Sequence, residues 1–513
     1  MRKTLLAAIV SISLLAACGV DDSGSGSSNG ENALKFQTVY PATSADAAIS
    51  ETAFFFTTSS VETLTRLNPE TQQLEPWLAT EWDTDDGITW TFKLRDDVQF
   101  HNGKAMDAQA VKASLEHAMD VNPGIASTLA ISEISVVDDH TIEIVTDGPY
   151  VSLPSQLAHY NAVIVDVDAD AGYPVGTGPF KYTNLDLNSN TASLEAFDDC
   201  WSGAPEVENL EVVANQDNNA RVLALQSGEA DVIYRPSLQS VNSLDTDDLD
   251  VDTTEGTRAY MVMHNPAGKN AELFQNLDFR KGLDALFDRK GIVDSLIDGH
   301  GSAANGAFPS DSIAAVDNEV ITYDTQAALD YFEAAGLDVV DGKVTQNGQP
   351  ISLRIATYNA RPELPQIAQA IQDSAAAVGI DITIVTEDDI DNFLLEQPDQ
   401  WDLATYSLNA LTRGDGSYFL NNLFMPDGAQ NYGDFADDKL VELITAYNEE
   451  LDTDTRIGLL QDIAAYIADN HLHSYLMFPD DSVAFEKEVT GVVAVPNEFE
   501  YPVITKDTAI SND

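Results

Sequence analysis

The chain has 513 residues, 44% of them hydrophobic, with 25 Lys+Arg against 85 Asp+Glu and a formal net charge of −60. That length predicts two to four domains with ample buried cores. The charge excludes a nucleic-acid partner, which needs clustered basic residues, and electrostatic docking on anionic lipid. The acidic residues are spread along the chain, as at Asp83, Asp85 and Asp86 or Asp245, Asp247 and Asp248. We read them as a solvated acidic skin suited to high salt; compositional drift is the plainer alternative.

Residues 1–17 read as an export signal: Arg2-Lys3 form a basic start, Leu5 to Leu15 an apolar run too short to span a bilayer, and Ala16-Ala17 a small-residue cleavage site. Leu15-Ala16-Ala17-Cys18-Gly19 looks like a bacterial lipoprotein box, so Cys18 is expected to be lipidated and 18–33 to be a Gly/Ser-rich tether. The expected location is outside the cell membrane, held by lipid. The only other cysteine, Cys200, then lacks an intramolecular partner and is expected to be a buried small hydrophobe.

From Leu34 onward, short β-like runs alternate with helices. Thr89 to Leu94 alternates with period two, as a half-buried strand does. Asp107 to Met119 follows as a helix with Asp107 at its N-cap. Strand runs at 134–137 and 141–145 flank the turn Asp138-Asp139-His140. Residues 363–378 carry the clearest helix, with Leu364, Ile367, Ala368 and Ile371 on one face, Pro362 before it and Gly379 after it. The strands Leu353–Thr357 and Ile380–Val385 bracket it, which predicts a parallel pair with a right-handed crossover. Two amphipathic helices are expected in 437–470 and a strand at Ser474–Phe478. The whole reads as α/β with mixed sheets in at least two lobes.

The chain carries no GxSxG, HExxH, GxxxxGK[ST] or CxxC motif, so a catalytic reading has no positive support, and no cofactor is expected. His471 and His473, two apart in a possible strand, would share a face and form a weak metal-ligating pair; a solvated strand edge is the alternative.

Three runs carry a family resemblance: Pro76 to Trp82, Asp86 to Val98, and Phe100-His101-Asn102-Gly103. It continues in Gly176 to Phe180, Trp201 to Pro205, Ala224 to Asp231, Asp278 to Leu283 with Asp288-Arg289-Lys290, and Ala334-Ala335-Gly336. Together they resemble the signature of family 5 extracellular solute-binding proteins, the peptide and nickel receptors of ABC importers. Cys200 departs from the family's usual Tyr, and Gly282 and Leu286 from its Gln and Tyr. In the C-terminal half, Thr357 to Pro365, Arg413 to Leu420 and Asn431 to Phe435 resemble the nickel and metal-chelate branch. There Arg413 and Gly416 replace the usual Thr and Pro, which changes a pocket wall.

The resemblance implies a two-lobed, periplasmic-binding-protein fold of three domains closing by a hinge: domain I at 34–60, 175–262 and 485–513, domain II at 61–174, domain III at 263–484. It implies a monomer that hands its solute to ABC permease and ATPase subunits. The solute would be nickel as an organic chelate, or a di- or oligopeptide. A ligand-presenting sensor is the alternative to transport, and a surface peptidase lacks its motifs. A buried solute carboxylate needs a paired cation, and Arg is scarce here. Arg361, in the loop before the 363–378 helix, is therefore the first candidate clamp, with a salt bridge to the acidic surface as the other reading. Arg413, Asp415, Tyr418 and Tyr358 are further candidates: Asp415 for a ligand ammonium, the tyrosines for stacking. Trp77, Trp82, Trp90 and His101 read as structural.

Overall fold

A computed structural model describes residues 33–317 and 322–511. Cys18 and the export signal lie outside the described residues. The backbone is organised by one sheet of twelve strands. Its first half gathers Phe180–Asp186, Thr191–Ala196, Asn209–Ala214, Ala33–Thr38 and Val232–Tyr234. The second half gathers Arg258–His264, Leu403–Asn409, Ser352–Thr357 and Asp381–Thr386. One strand, Ser474–Glu486, belongs to both: Ser474 to Met477 pair with Arg258–His264, and Val483 to Phe485 with Val232–Tyr234. This strand, expected to end at Phe478, is thirteen residues long and is a covalent and hydrogen-bonded bridge between the lobes.

The predicted β-α-β unit is present. Ser352–Thr357 and Asp381–Thr386 pair in parallel, from Ser352 opposite Asp381 to Thr357 opposite Thr386. Helix Glu363–Ala377 crosses between them and buries Leu364, Ile367, Ala368, Ile371 and Ala375. Each large side chain so removed from water contributes about 1.5–3 kcal/mol relative to exposure. The helix stops where Gly379 takes φ +86°, a left-handed turn that costs glycine nothing.

A separate antiparallel sheet of four strands lies in the order Ala79–Asp83, Thr89–Leu94, Thr141–Thr146, Ile131–Asp138. Helix Ala108–Val121 follows the Asp107 cap, whose carboxylate accepts the Ala110 N–H at 2.8 Å. Trp90 is buried in this sheet's core with Phe92, while Trp77 and Trp82 pack against it half-buried. His101 bonds the Gly178 carbonyl at 2.9 Å, and burial lowers its pKa to about 4. Cys200 is buried and is in no disulfide among the described residues.

Gly282 is a close-approach position: a Cβ there would sit 2.5 Å from the Phe332 ring. Helix Leu277–Asp284 therefore lies closer to helix Thr325–Ala334 than a Gln at this position would permit. No helix among the described residues is long and apolar enough to cross a membrane.

Candidate functional site

Two antiparallel strands of the second half-sheet end together at the gap between the lobes, with Arg258 directly opposite Asn409. Directly paired residues project from the same face, so a guanidinium and an amide stand side by side. Past Asn409 the chain enters the loop that holds Thr412 and Arg413, then helix Ser417–Phe424, which carries Tyr418. The facing wall comes from Ile49–Glu51 and His159–Asn161. Between these walls lies a cleft of about 660 Å³, in the size range of small-molecule sites.

Four polar atoms in this lining are buried with no hydrogen-bond partner among the described residues: Ser50 Oγ on one wall and Arg258 Nε, Asn409 Oδ1 and Thr412 Oγ1 on the other. Buried polar groups are normally satisfied, and an unpaired one costs on the order of 1–3 kcal/mol. A second cavity, of about 680 Å³, is lined by Trp77, Trp201, Val493 and Val503; none of these orphaned atoms belongs to its lining.

Behind Arg258 the electrostatics are lopsided. Its Nη2 donates to Glu498 Oε1 at 2.9 Å, Arg361 Nη2 donates to the same oxygen at 3.0 Å, and Arg235 lies 3.5 Å from it. Burial alone would raise the Glu498 carboxyl, but Arg258, Arg235 and Arg361 together hold it well below the usual carboxylate range. Asp481 pairs with Arg235 at 2.8 Å. Three guanidinium groups thus share two carboxylates beside the cleft of a chain whose net charge is −60. The lining itself sets Arg258 and Arg413 against Glu51 and Glu500, so what it offers a solute is an oriented guanidinium and not a net positive surface.

The residues singled out from sequence take different places. Arg361 faces Glu498 and is outside the cleft lining. Arg413 reaches the lining, but its Nε donates to Gln156 Oε1 at 3.0 Å and its backbone N–H to Glu500 Oε2 at 2.8 Å. The side chain is buried and its Nε and Nη2 are held by Gln156, while Nη1 stands 4.0 Å from Glu500. Asp415 is paired with Arg456 at 2.6 Å and opens on a different crevice. Tyr418 is in the cleft lining and 42% exposed, free to pack on a solute. Tyr358 is half-buried against both cores of its lobe, its hydroxyl 3.4 Å from Ser407 Oγ.

His471 and His473 do not alternate in a strand. They occupy the turn before it, at φ +47° and +65°, so the same-face argument fails. His471 Nδ1 bonds Asp284, and His473 Nδ1 accepts the His264 N–H at 3.1 Å. Burial and Arg280 lower the His473 pKa to about 4. Among the described residues no group of three or more His, Cys, Asp or Glu is placed to hold a metal ion.

Sequence reasoning missed Arg258, Asn409, Thr412, Ser50 and His159. The scarcity of Arg was the usable signal for Arg258; the cross-strand register that sets it beside Asn409 is not written in either segment alone.

Glu500 gives a pH test. Burial pushes its carboxyl up to about 7, with Arg413 opposing. A folded pKa above the unfolded value near 4.5 means that stability is present at low pH and lost as pH rises from about 4.5 to 7. The loss is on the order of 3 kcal/mol for a group buried this fully. Glu500→Gln keeps an oxygen acceptor for the Arg413 N–H and should flatten that part of the stability profile, read by urea midpoints at pH 5, 6, 7 and 8. An unchanged slope would show that Glu500 titrates normally.

The profile of the bacterial extracellular solute-binding proteins, family 5 (middle), matches residues 73–431. A nickel-binding protein of Staphylococcus aureus, NikA, is 29% identical over 504 residues, covering 97% of each chain. The crystal structure described as a nickel ABC transporter from Bacillus halodurans superposes with a TM-score of 0.86 at 35% identity, over 94% of this chain and 100% of that one. The S. aureus NikA structure in complex with Ni(L-His)2 gives a TM-score of 0.73 at 28% identity, over 93% and 100%.

Proposed function

We propose that this chain, which belongs to the bacterial extracellular solute-binding proteins of family 5, receives nickel as a complex with a carboxylate-bearing organic chelator and delivers it to an ABC importer. The single observation that carries this reading is the cleft itself. Unpaired polar atoms of its lining are gathered there with the Arg258 guanidinium. A chelate whose carboxylates face outward is attracted, and Arg258 can receive one of them in charge-assisted hydrogen bonds. The nickel-binding relatives support the choice of metal. In this reading the metal is cargo, carried by the solute's own ligands.

The lobes would close about strand Ser474–Glu486, with domain I at 34–60, 175–262 and 485–513, domain II at 61–174 and domain III at 263–484. Tyr418 would pack on the solute's body. Arg361 would act from behind, keeping Glu498 from neutralising Arg258 alone.

A thermal-shift screen tests the choice of solute, because a ligand that binds only the folded state raises its stability by RT ln(1 + [L]/Kd). Nickel(II) with two equivalents of L-histidine should raise Tm, and nickel chloride alone should not. A rise with di- and tripeptides and none with the nickel complex would replace this reading by peptide capture.

Anchoring through Cys18 belongs to the same proposal. Cys18→Ser should abolish incorporation of labelled palmitate in cells and leave the precursor uncleaved. Incorporation equal to that of the wild type would rule the anchor out.

A further inference from the structure

His159 lines the same cleft as Arg258 and Asn409, and its ring is fixed by a hydrogen bond and a stacked neighbour. The Asn161 N–H donates to its Nδ1 at 3.1 Å. Asn161 is itself fixed, its Nδ2 donating to the carbonyls of Ala47 at 2.7 Å and Ser50 at 2.9 Å. The imidazole stacks on Tyr160 with centroids 4.5 Å apart and planes at 25°, and Tyr160 lies 5.7 Å from the Phe499 ring. Nε2 makes no hydrogen bond within the described residues.

We infer that His159 is a hydrogen-bond donor to the solute through Nε2–H, selecting solutes that carry a second anionic acceptor across the cleft from Arg258, and that it is not a metal ligand. This rests on the cleft being the solute site. A neutral imidazole has one proton. With Nδ1 accepting from a backbone N–H, that proton is on Nε2. A metal needs a ring lone pair. The Nδ1 lone pair is directed at Asn161, and Nε2 carries hydrogen. Moving the proton to Nδ1 would set it against the Asn161 N–H and leave that donor unpaired. Protonating the ring would create the same conflict.

Burial, with the Arg413 guanidinium nearby, also holds the ring well below its ordinary pKa, so the donor form persists at neutral pH. The favoured solute class is therefore a dicarboxylate, or a complex displaying two carboxylates, with one group at Arg258 and Asn409 and the other at His159.

Protein labelled with 15N-histidine tests the assignment without any ligand. Long-range proton–nitrogen correlation at pH 7, with His159→Phe identifying the signal, should show the Nε2–H tautomer and retain it at pH 5. A Nδ1–H tautomer, or an imidazolium at pH 7, would overturn the inference. Calorimetry with nickel(II) and two equivalents of L-histidine then tests the role. His159→Phe should weaken binding about 10-fold, the expected loss of one hydrogen bond to a charged acceptor. His159→Gln, whose amide can donate from the same place, should remain within about 3-fold of wild type. The visible absorption of the nickel complex should not move on binding.

An absorption shift seen with wild type and abolished equally by Phe and Gln would make His159 a metal ligand and refute the proposal. A wild-type protein that ignores the complex would remove the nickel reading, while the tautomer still decides what His159 offers a solute.

Discussion

Glu498→Gln is expected to lower the unfolding free energy by about 3–5 kcal/mol at pH 7, the range for removing one partner of a buried ionic group. Its carboxylate is the common acceptor of Arg258 and Arg361 and the near neighbour of Arg235, and only 2% of its side chain is exposed. An amide keeps an acceptor oxygen but no charge. The three guanidinium groups would then repel one another with Asp481 as the remaining counter-charge. The pH dependence has a definite sign. A carboxyl held below its unfolded value contributes stability above about pH 4.5 and loses it as pH falls through the folded pKa. Wild type should therefore lose more stability than the variant between pH 5 and pH 3. Guanidinium or urea midpoints at both pH values check this. Equal midpoints for the two proteins at pH 7 would mean that the arginines do not need Glu498.

Arg258→Ala is expected to cost about 2–5 kcal/mol in solute binding, or roughly 30-fold to several thousand-fold in Kd. Its Nε is buried and unpaired in the cleft, whereas its Nη2 is anchored on Glu498. The residue is thus oriented by the protein and unsatisfied toward the solute. Arg258→Lys should restore only part of the affinity, because a single ammonium cannot both hold Glu498 and form two parallel bonds to a carboxylate. Arg361→Ala should lose less affinity and more stability, since its partner is Glu498. Calorimetry with the nickel–histidine complex separates the three variants. An Arg258→Ala protein with wild-type affinity would remove Arg258 from the site.

The fold was readable wherever local pattern and local structure share a period. The apolar face of Glu363–Ala377 and the alternation of Thr89–Leu94 each fix an element within one stretch of chain. The resemblance to family 5, running from about residue 34 to 505, supplied the architecture, which no periodicity contains. The cleft was only half readable. The loop Arg413–Tyr418 was singled out in the sequence, yet which of its side chains is free depends on distant partners: Gln156 and Glu500 engage Arg413, and Arg456 engages Asp415. His471 and His473 misled because the strand begins after them, and left-handed backbone at both positions removes the alternation. Arg258 escaped notice because its neighbour in space, Asn409, is 151 residues away and the two meet only through strand register.

Titration of the wild-type protein and the Arg258→Ala variant, side by side, with nickel(II) and two equivalents of L-histidine tests the central claim most directly. The wild type should bind one complex per chain with a Kd in the micromolar range or below, about −8 kcal/mol or better, and the variant should bind at least about 30-fold more weakly. Absence of binding by the wild type, or equal affinity in both proteins, would contradict the account.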